Sequence, residues 1–119
     1  RPRTDYARVL LRINPAATQA ANDLLQQVIT DSPWYVDAYR LLADIADAHG
    51  DAAGAATWYA NGLQKNPNDA RLLFPLGQFY ARNHQIDPAK ETLTLALKYE
   101  TRANVLQAIA RALAQVNAP

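Results

Sequence analysis

Few residues of this chain have side chains suited to catalysis. Its two histidines, His49 and His84, each fall at the end of a predicted helix, where an imidazole interacts favourably with the helix dipole. Neither has a second histidine or a cysteine at the spacing of a zinc site, which needs three or four ligands. Ser32 is the only serine and has no adjacent histidine to activate it. Since a phosphate-binding Gly-x-x-x-x-Gly-Lys pattern is also missing, the sequence predicts no enzymatic activity, no metal and no cofactor.

The composition favours a helical protein and argues against several kinds of binding partner. The chain has 119 residues, of which 50% are hydrophobic and 19% charged, and alanine is abundant. Such a composition favours tightly packed helices, because alanine is the best helix former. With a net charge of +1 and no run of basic residues, the chain is not expected to bind nucleic acid. It has no cysteine and no apolar stretch of about 18 residues, so we expect neither disulfides nor direct membrane insertion.

A repeated pattern organises the chain. Residues 37–69 predict two helices folded back on each other around a turn at Gly50–Asp51. Their apolar faces carry Tyr39, Leu42, Ala43 and Ala46, then Ala55, Tyr59, Gly62 and Leu63. The same pattern recurs 34 residues later at Leu73, Leu76, Gly77, Tyr80, Ala89, Leu93, Ala96 and Leu97. Small residues at Ala43 and Gly77 let the second helix of each pair pack closely, and stacked repeats share one core.

This pattern resembles the tetratricopeptide repeat, a helix–turn–helix of about 34 residues. The resemblance implies an all-α antiparallel helix-hairpin solenoid that forms a right-handed superhelix of about seven helices. We expect one domain over 1–119, made of three repeats and a C-terminal capping helix. The predicted ranges are 4–33 for a degenerate repeat, 36–69 and 70–101 for two clear repeats, and 102–116 for the cap. The repeat over 70–101 departs from the pattern, with Thr101 where the family has proline.

The N-terminal part allows two interpretations. Tyr6, Val9, Leu10 and Ile13 form an apolar stripe on a short helix that ends at Asn14–Pro15. This helix is either the shortened first helix of the degenerate repeat or the tail of a preceding repeat. The absence of methionine favours a piece of a longer protein. The apolar N-terminal end could also pair with a second copy to form a homodimer.

Further along, a second helix is predicted over 16–31 and is closed by Ser32–Pro33. Trp34–Tyr35 are expected to cover the start of the next helix. Asp69 is predicted as the N-cap of a helix over 70–82, and Asp87 as the N-cap of the helix that follows.

In the family that this chain resembles, the first helices of successive repeats line a concave groove that holds a peptide. The corresponding positions carry Asp37, Arg40 and Asp44 in one repeat, Arg71, Phe74, Gln78 and Arg82 in the next, and Gln107 and Arg111 in the cap helix. The resemblance therefore implies a groove that is acidic at one end and basic at the other, with Phe74 between them. Alternatively, Arg40 only pairs with Asp37 and Asp44 along its own helix.

Two functions follow from this interpretation. The first is a non-catalytic scaffold that binds a peptide or protein segment in the groove. The alternative is an accessory domain of a larger enzyme or of a membrane-bound bacterial envelope or glycan assembly protein. Some relatives clamp a C-terminal carboxylate with a lysine and an asparagine, but this chain has Arg40 and Asp44 at those positions, so a cochaperone of that kind is not expected.

Overall fold

The computed structural model of the protein describes residues 18–118. This part of the chain forms six α-helices and no strand. The helices are α1 (Thr18–Asp31), α2 (Val36–Ala48), α3 (Ala52–Lys65), α4 (Ala70–Arg82), α5 (Ile86–Tyr99) and α6 (Ala103–Asn117). The all-α class is therefore confirmed, whereas the helix predicted around Tyr6–Ile13, with its apolar end proposed for dimerisation, lies outside the described residues.

The chain divides between Lys65 and Asn66 into two compact units. In the first unit, α2 packs against both α1 and α3. Helices α1 and α2 share a core of small and aliphatic side chains, namely Ala21, Leu25, Val28, Ala38, Leu41, Leu42 and Ile45. Ala43 and Ala55 are completely buried, as expected for the small residues that let α2 and α3 approach each other.

Hydrogen bonds from nearby side chains and a glycine with positive φ define the turns of the first unit. The Tyr39 hydroxyl donates a hydrogen bond to the Pro33 carbonyl, which ties α2 to the turn before it. Gly50 has a φ of 76°, in the left-handed region that glycine adopts without strain. The Asp51 carboxylate then accepts a hydrogen bond from the Gly54 N–H at 2.9 Å and caps the start of α3.

In the second unit, α4 and α5 form the next hairpin and α6 packs against both. Leu72, Leu93 and Ile109 are completely buried. A Cβ at Gly77 would lie 2.6 Å from both Cγ and Cδ2 of Leu93. Glycine is therefore required for the close approach of α4 and α5, as the repeat predicts. Helix α4 continues through Pro75.

Glu100 fixes the connection between α5 and α6. Its carboxylate accepts hydrogen bonds from the N–H groups of Thr101 and Arg102, both at 2.9 Å, and from the Arg102 guanidinium at 3.0 and 3.1 Å. The Glu100 side chain is only 5% exposed. The bonds from Arg102 outweigh the effect of burial and lower the pKa of Glu100 to about 2. The carboxylate is therefore ionised at neutral pH and serves as the acceptor that the start of α6 requires.

Three predictions about individual positions are wrong. Helix α5 begins at Ile86 with Gln85 as its N-cap, so Asp87 is not the cap. The reason is that Pro88 is tolerated in the first turn, where its missing N–H has no intrahelical partner to lose. Leu97 is 37% exposed rather than buried. Trp34 is 64% exposed, so its side chain does not cover the start of the next helix. Of these two aromatic residues, it is Tyr35 that packs against the core of α1 and α2.

The predicted grouping of all repeats into one domain stays a prediction. None of the helices within 18–118 is long and apolar enough to cross a membrane.

Candidate protein-binding surface

The predicted groove positions of the first unit lie on α2. Asp37 and Arg40 are half-buried and Asp44 is exposed. With Asp47, which is half-buried one turn after Asp44, three carboxylates and one guanidinium follow one another along this helix. The surface of α2 therefore carries an excess of negative charge.

In the second unit, the carboxylate of Asp69 binds both the backbone N–H and the guanidinium of Arg71. The Asp69 carboxylate accepts the Arg71 N–H at 2.9 Å, which caps α4 as predicted. It also binds the Arg71 guanidinium through Nε at 3.0 Å and Nη2 at 2.7 Å. Burial opposes ionisation of Asp69, but the hydrogen bonds from Arg71 prevail and hold the pKa of Asp69 below its usual value. Arg71 is thus engaged by the cap of its own helix.

The other groove positions of α4 and α6 differ in exposure. Phe74 is half-buried, whereas Gln78, Arg82, Gln107 and Arg111 are exposed. Arg71 and Arg82 are 11 residues apart on α4, about 16 Å along the helix axis. The two predicted arginines of this helix therefore lie at its opposite ends.

A cleft between α4, α5 and α6 brings some of these positions together. Its volume is about 470 Å³, and we call it the α4–α6 cleft. It is lined by Gln78, Ala81 and Arg82 of α4, Ile86 and Leu93 of α5, and Ala112, Gln115, Val116 and Ala118 at the end of the chain. Polar side chains from α4 and α6 thus share one cleft with aliphatic side chains from α5 and α6.

The cleft includes two of the predicted site residues, Gln78 and Arg82, and does not include Phe74, Gln107 or Arg111. Sequence reasoning missed Ile86, because the start of α5 was expected after it. Ile86 is 40% exposed although it is aliphatic and lines the cleft. The 34-residue spacing from Ala52, the first residue of α3, would have placed the helix start at Ile86, but not the side chain of Ile86 in the cleft.

The first unit has a smaller cleft of about 430 Å³ between its helices. It is lined by Thr18, Gln19, Asn22, Leu42, Ile45, Ala46, His49, Asp51 and Trp58. His49 is the C-cap of α2, and its N–H bonds to the carbonyls of that helix. His84 occupies the equivalent turn after α4, where it has a φ of 60°. Within residues 18–118, no three histidine or carboxylate side chains are grouped to hold a metal ion.

The family model of the tetratricopeptide repeat matches residues 48–113, which is more than half of the chain. No curated protein sequence matches the chain significantly.

Many solved structures match this chain, and two of them illustrate the similarity in fold. One is the Yersinia enterocolitica type III secretion chaperone SycD in complex with a peptide of the translocator YopD, with a TM-score of 0.78 and 13% identity over 97% of this chain and 89% of that chain. The other is Pseudomonas aeruginosa PilF, with a TM-score of 0.78 and 22% identity over 96% of this chain. The matched region is 51% of the PilF chain, so this chain corresponds to about half of that protein.

Proposed function

Because the chain belongs to the tetratricopeptide repeat family, we propose that it is a non-catalytic module that binds a peptide or protein segment on its first helices. The observation that carries this proposal is the α4–α6 cleft. There, two positions that the family uses for ligand contact, Gln78 and Arg82, meet an aliphatic wall. This combination of apolar surface and a few polar groups is typical of binding sites.

The side chains of the cleft suggest which segment it holds. Ile86 and Val116 offer apolar contact area to an aliphatic side chain of the segment. The amides of Gln78 and Gln115 have donors and acceptors that match a peptide backbone. Arg82 supplies a guanidinium, which binds carboxylates with a geometry that lysine does not offer. We therefore expect a segment with an aliphatic side chain next to an acidic group.

The remaining predicted positions have secondary roles in this proposal. Phe74, Gln107 and Arg111 extend the contact surface of α4 and α6 beyond the cleft. Arg71 contributes little, because Asp69 already binds its guanidinium. The acidic surface of α2 around Asp44 would suit a basic part of a partner.

The comparison with SycD supports the proposal, since that chaperone has a similar fold and was solved with a bound peptide. The likeness is one of fold, and the identity of the ligand is not transferred from it. A chain of this architecture can therefore present a peptide-binding surface.

The test is a selection of random displayed peptides on the intact chain, followed by measurement of the affinity of the selected peptides by fluorescence anisotropy. We expect Arg82→Glu to weaken binding at least about tenfold, because it replaces a charge-assisted hydrogen bond with repulsion. The control is Lys98→Glu, which makes the same change of charge at an exposed residue that does not line the cleft.

A second pair of variants tests the apolar wall. Ile86 and Leu95 are both on α5 and are 40% and 41% exposed, but only Ile86 lines the cleft. We expect Ile86→Ser to weaken binding at any ionic strength and Leu95→Ser to leave it unchanged. Added salt should weaken the contribution of Arg82 by screening. Peptides that bind Arg82→Glu and Ile86→Ser as tightly as the unaltered chain would show that the cleft is not the binding surface.

A further inference from the structure

The cleft of about 430 Å³ in the first unit, which we call the α1–α3 cleft, combines an indole with a carboxylate. Trp58 lines it from α3, and Asp51 lines it from the turn just before that helix. The amides of Gln19 and Asn22 line it from α1. No lysine or arginine is among the residues that line this cleft. The cleft therefore offers acceptors and an aromatic ring to a ligand, but no permanent positive charge for an anion.

The carboxylate of Asp51 is held in a fixed position. Its Oδ1 accepts a hydrogen bond from the Gly54 N–H at 2.9 Å. A Cβ at residue 54 would collide with this carboxylate, so glycine is what lets it lie across the first turn of α3. An ionised carboxylate has about four acceptor positions, and the bond from Gly54 uses one of them. Asp51 is also exposed, so its carboxylate can accept further hydrogen bonds from a ligand without first being ordered.

The indole of Trp58 lies on the same side of α3 as Asp51. Trp58 follows Asp51 by seven residues, or about two helical turns, which is roughly 10 Å along the axis. Long side chains of a helix lean towards its N-terminus, so the ring of Trp58 leans towards Asp51. Trp58 packs against the core of α1 and α2 and is half-buried. Its ring is therefore fixed by packing, and part of it remains accessible in the cleft.

The charge around the α1–α3 cleft favours a cation. Residues 18–65 carry six aspartates against one arginine and one lysine, whereas residues 66–118 carry four acidic and six basic residues. One of these aspartates lies next to the cleft, because Gln19, which lines it, donates a hydrogen bond to the Asp23 carboxylate at 3.0 Å. An excess of one sign of charge around a cleft concentrates ligands of the opposite sign. The ligand of this cleft is therefore expected to be positively charged.

We propose that the α1–α3 cleft binds an arginine side chain from a basic segment of a partner protein. A guanidinium pairs with a carboxylate through two parallel hydrogen bonds and also stacks on aromatic rings, and indole is the best ring for a cation. Asp51 supplies the carboxylate, and Trp58 supplies the ring for the guanidinium and its aliphatic stem. The amide oxygens of Gln19 and Asn22 can accept remaining N–H groups. This site shares no residue with the α4–α6 cleft, so each can bind its ligand without the other.

The first experiment uses Trp58 as its own reporter. The chain has two tryptophans, and Trp34 does not line the cleft, so Trp34→Phe leaves a single indole in the site. The probes are acetylated, amidated tetra-arginine and tetra-citrulline, a neutral analogue of the same shape, at low ionic strength. We expect a saturable change of Trp58 fluorescence with tetra-arginine and none with tetra-citrulline. The titration is repeated with four of the chain's own arginines replaced by glutamine, so that none of them competes with the peptide, namely Arg1, Arg3, Arg8 and Arg12. Absence of a saturable change in both chains, or equal binding of the two peptides, would overturn the proposal.

The second experiment separates the proposed ion pair from general attraction to an acidic surface. Asp51→Asn removes the charge and keeps a residue that caps a helix equally well, so folding should be preserved, which circular dichroism verifies. We expect it to raise the dissociation constant of tetra-arginine at least about fivefold by removing a charge-assisted pair. The matched control is Asp31→Asn, which makes the same change of charge at an exposed residue of α1 outside the cleft. Equal weakening by the two variants would show that the peptide does not bind in the cleft.

The third experiment tests the contact with the indole. Protons held over the face of an aromatic ring resonate upfield, so the δ-methylene protons of the bound arginine should shift upfield in the NMR spectrum. Trp58→Leu should abolish this shift and weaken binding, while Ile86→Ser in the other cleft should change neither. Tetra-arginine that binds Trp58→Leu as tightly as the unaltered chain would contradict the proposed contact.

Discussion

Substitution of Gly77 tests the central packing contact of the second unit. An alanine at this position would place its Cβ 2.6 Å from Cγ and Cδ2 of Leu93, and 3.4 Å from the Leu93 backbone nitrogen. Carbon atoms pack best at about 3.5–4.0 Å, so Leu93 would have to move by about 1 Å. Since Leu93 is completely buried, the neighbouring side chains have to move with it.

The expected size of the effect follows from two opposing contributions. Overpacking of a core costs about 1–3 kcal/mol, whereas alanine stabilises a helix interior by about 1 kcal/mol relative to glycine. We therefore expect Gly77→Ala to lower the free energy of unfolding by about 0–2 kcal/mol, although the same substitution in an exposed helix would raise it. Gly77→Leu adds three more carbon atoms at the same contact and should cost more than Gly77→Ala.

The decisive measurement is a double-mutant cycle with Leu93→Ala, followed by urea unfolding. Without the Leu93 side chain the collision disappears, so Gly77→Ala should become stabilising by about 1 kcal/mol. Gln64→Leu on the exposed surface of α3 is the control and should be near neutral. If Gly77→Ala changes stability equally in both backgrounds, the contact between Gly77 and Leu93 does not limit the approach of α4 and α5.

Four other substitutions or additions are expected to have defined outcomes. His84→Gly should stabilise the chain by about 1 kcal/mol in urea unfolding, because glycine adopts the left-handed backbone conformation of residue 84 without steric strain. A loss of stability would contradict the turn geometry. Asp69→Ala should cost about 1 kcal/mol through loss of the α4 cap, and an unchanged unfolding midpoint would rule out that role. Glu100→Gln should cost roughly 1–3 kcal/mol at neutral pH. The pKa of Glu100 is lowered in the folded state, so its contribution is complete above its unfolded pKa of 4.5 and is lost as the pH falls towards about 2. The free energies of unfolding of the unaltered chain and of Glu100→Gln should therefore converge as the pH is lowered from neutral to acidic values. A difference that stays constant with pH would refute this assignment. Zinc, magnesium or a nucleotide should leave the melting temperature unchanged, since a ligand of the native state would raise it, and a reproducible shift would reveal a missed site.

The sequence determined the helices and their pairing because both depend on local spacing. The recurrence of Ala43 as Gly77, and of Ala55 as Ala89, places small residues where two helices approach, and all four are buried in the structure. The cap at Asp69 was also predictable, since it requires only an acidic residue next to the start of α4. These features involve residues within one hairpin.

The candidate site was only partly predictable. The family pattern identifies Gln78 and Arg82 as surface positions, and both line the α4–α6 cleft. It could not identify Ile86 or Val116, because a side chain lines a cleft through the positions of three helices rather than through its own spacing. Nor could it show that Arg71 is held by Asp69, which depends on the orientation of both side chains.

Tertiary structure alone decided which apolar residues are covered. Leu93 and Leu97 are four residues apart on α5 and share one apolar pattern, yet Leu93 is completely buried and Leu97 is 37% exposed. Ala43 and Ala110 occupy equivalent positions of the repeat, but Ala43 is completely buried whereas Ala110 is exposed. A periodic pattern specifies which side of a helix is apolar. The burial of each residue on that side depends on how far the neighbouring helix extends, and this is a property of the assembled fold.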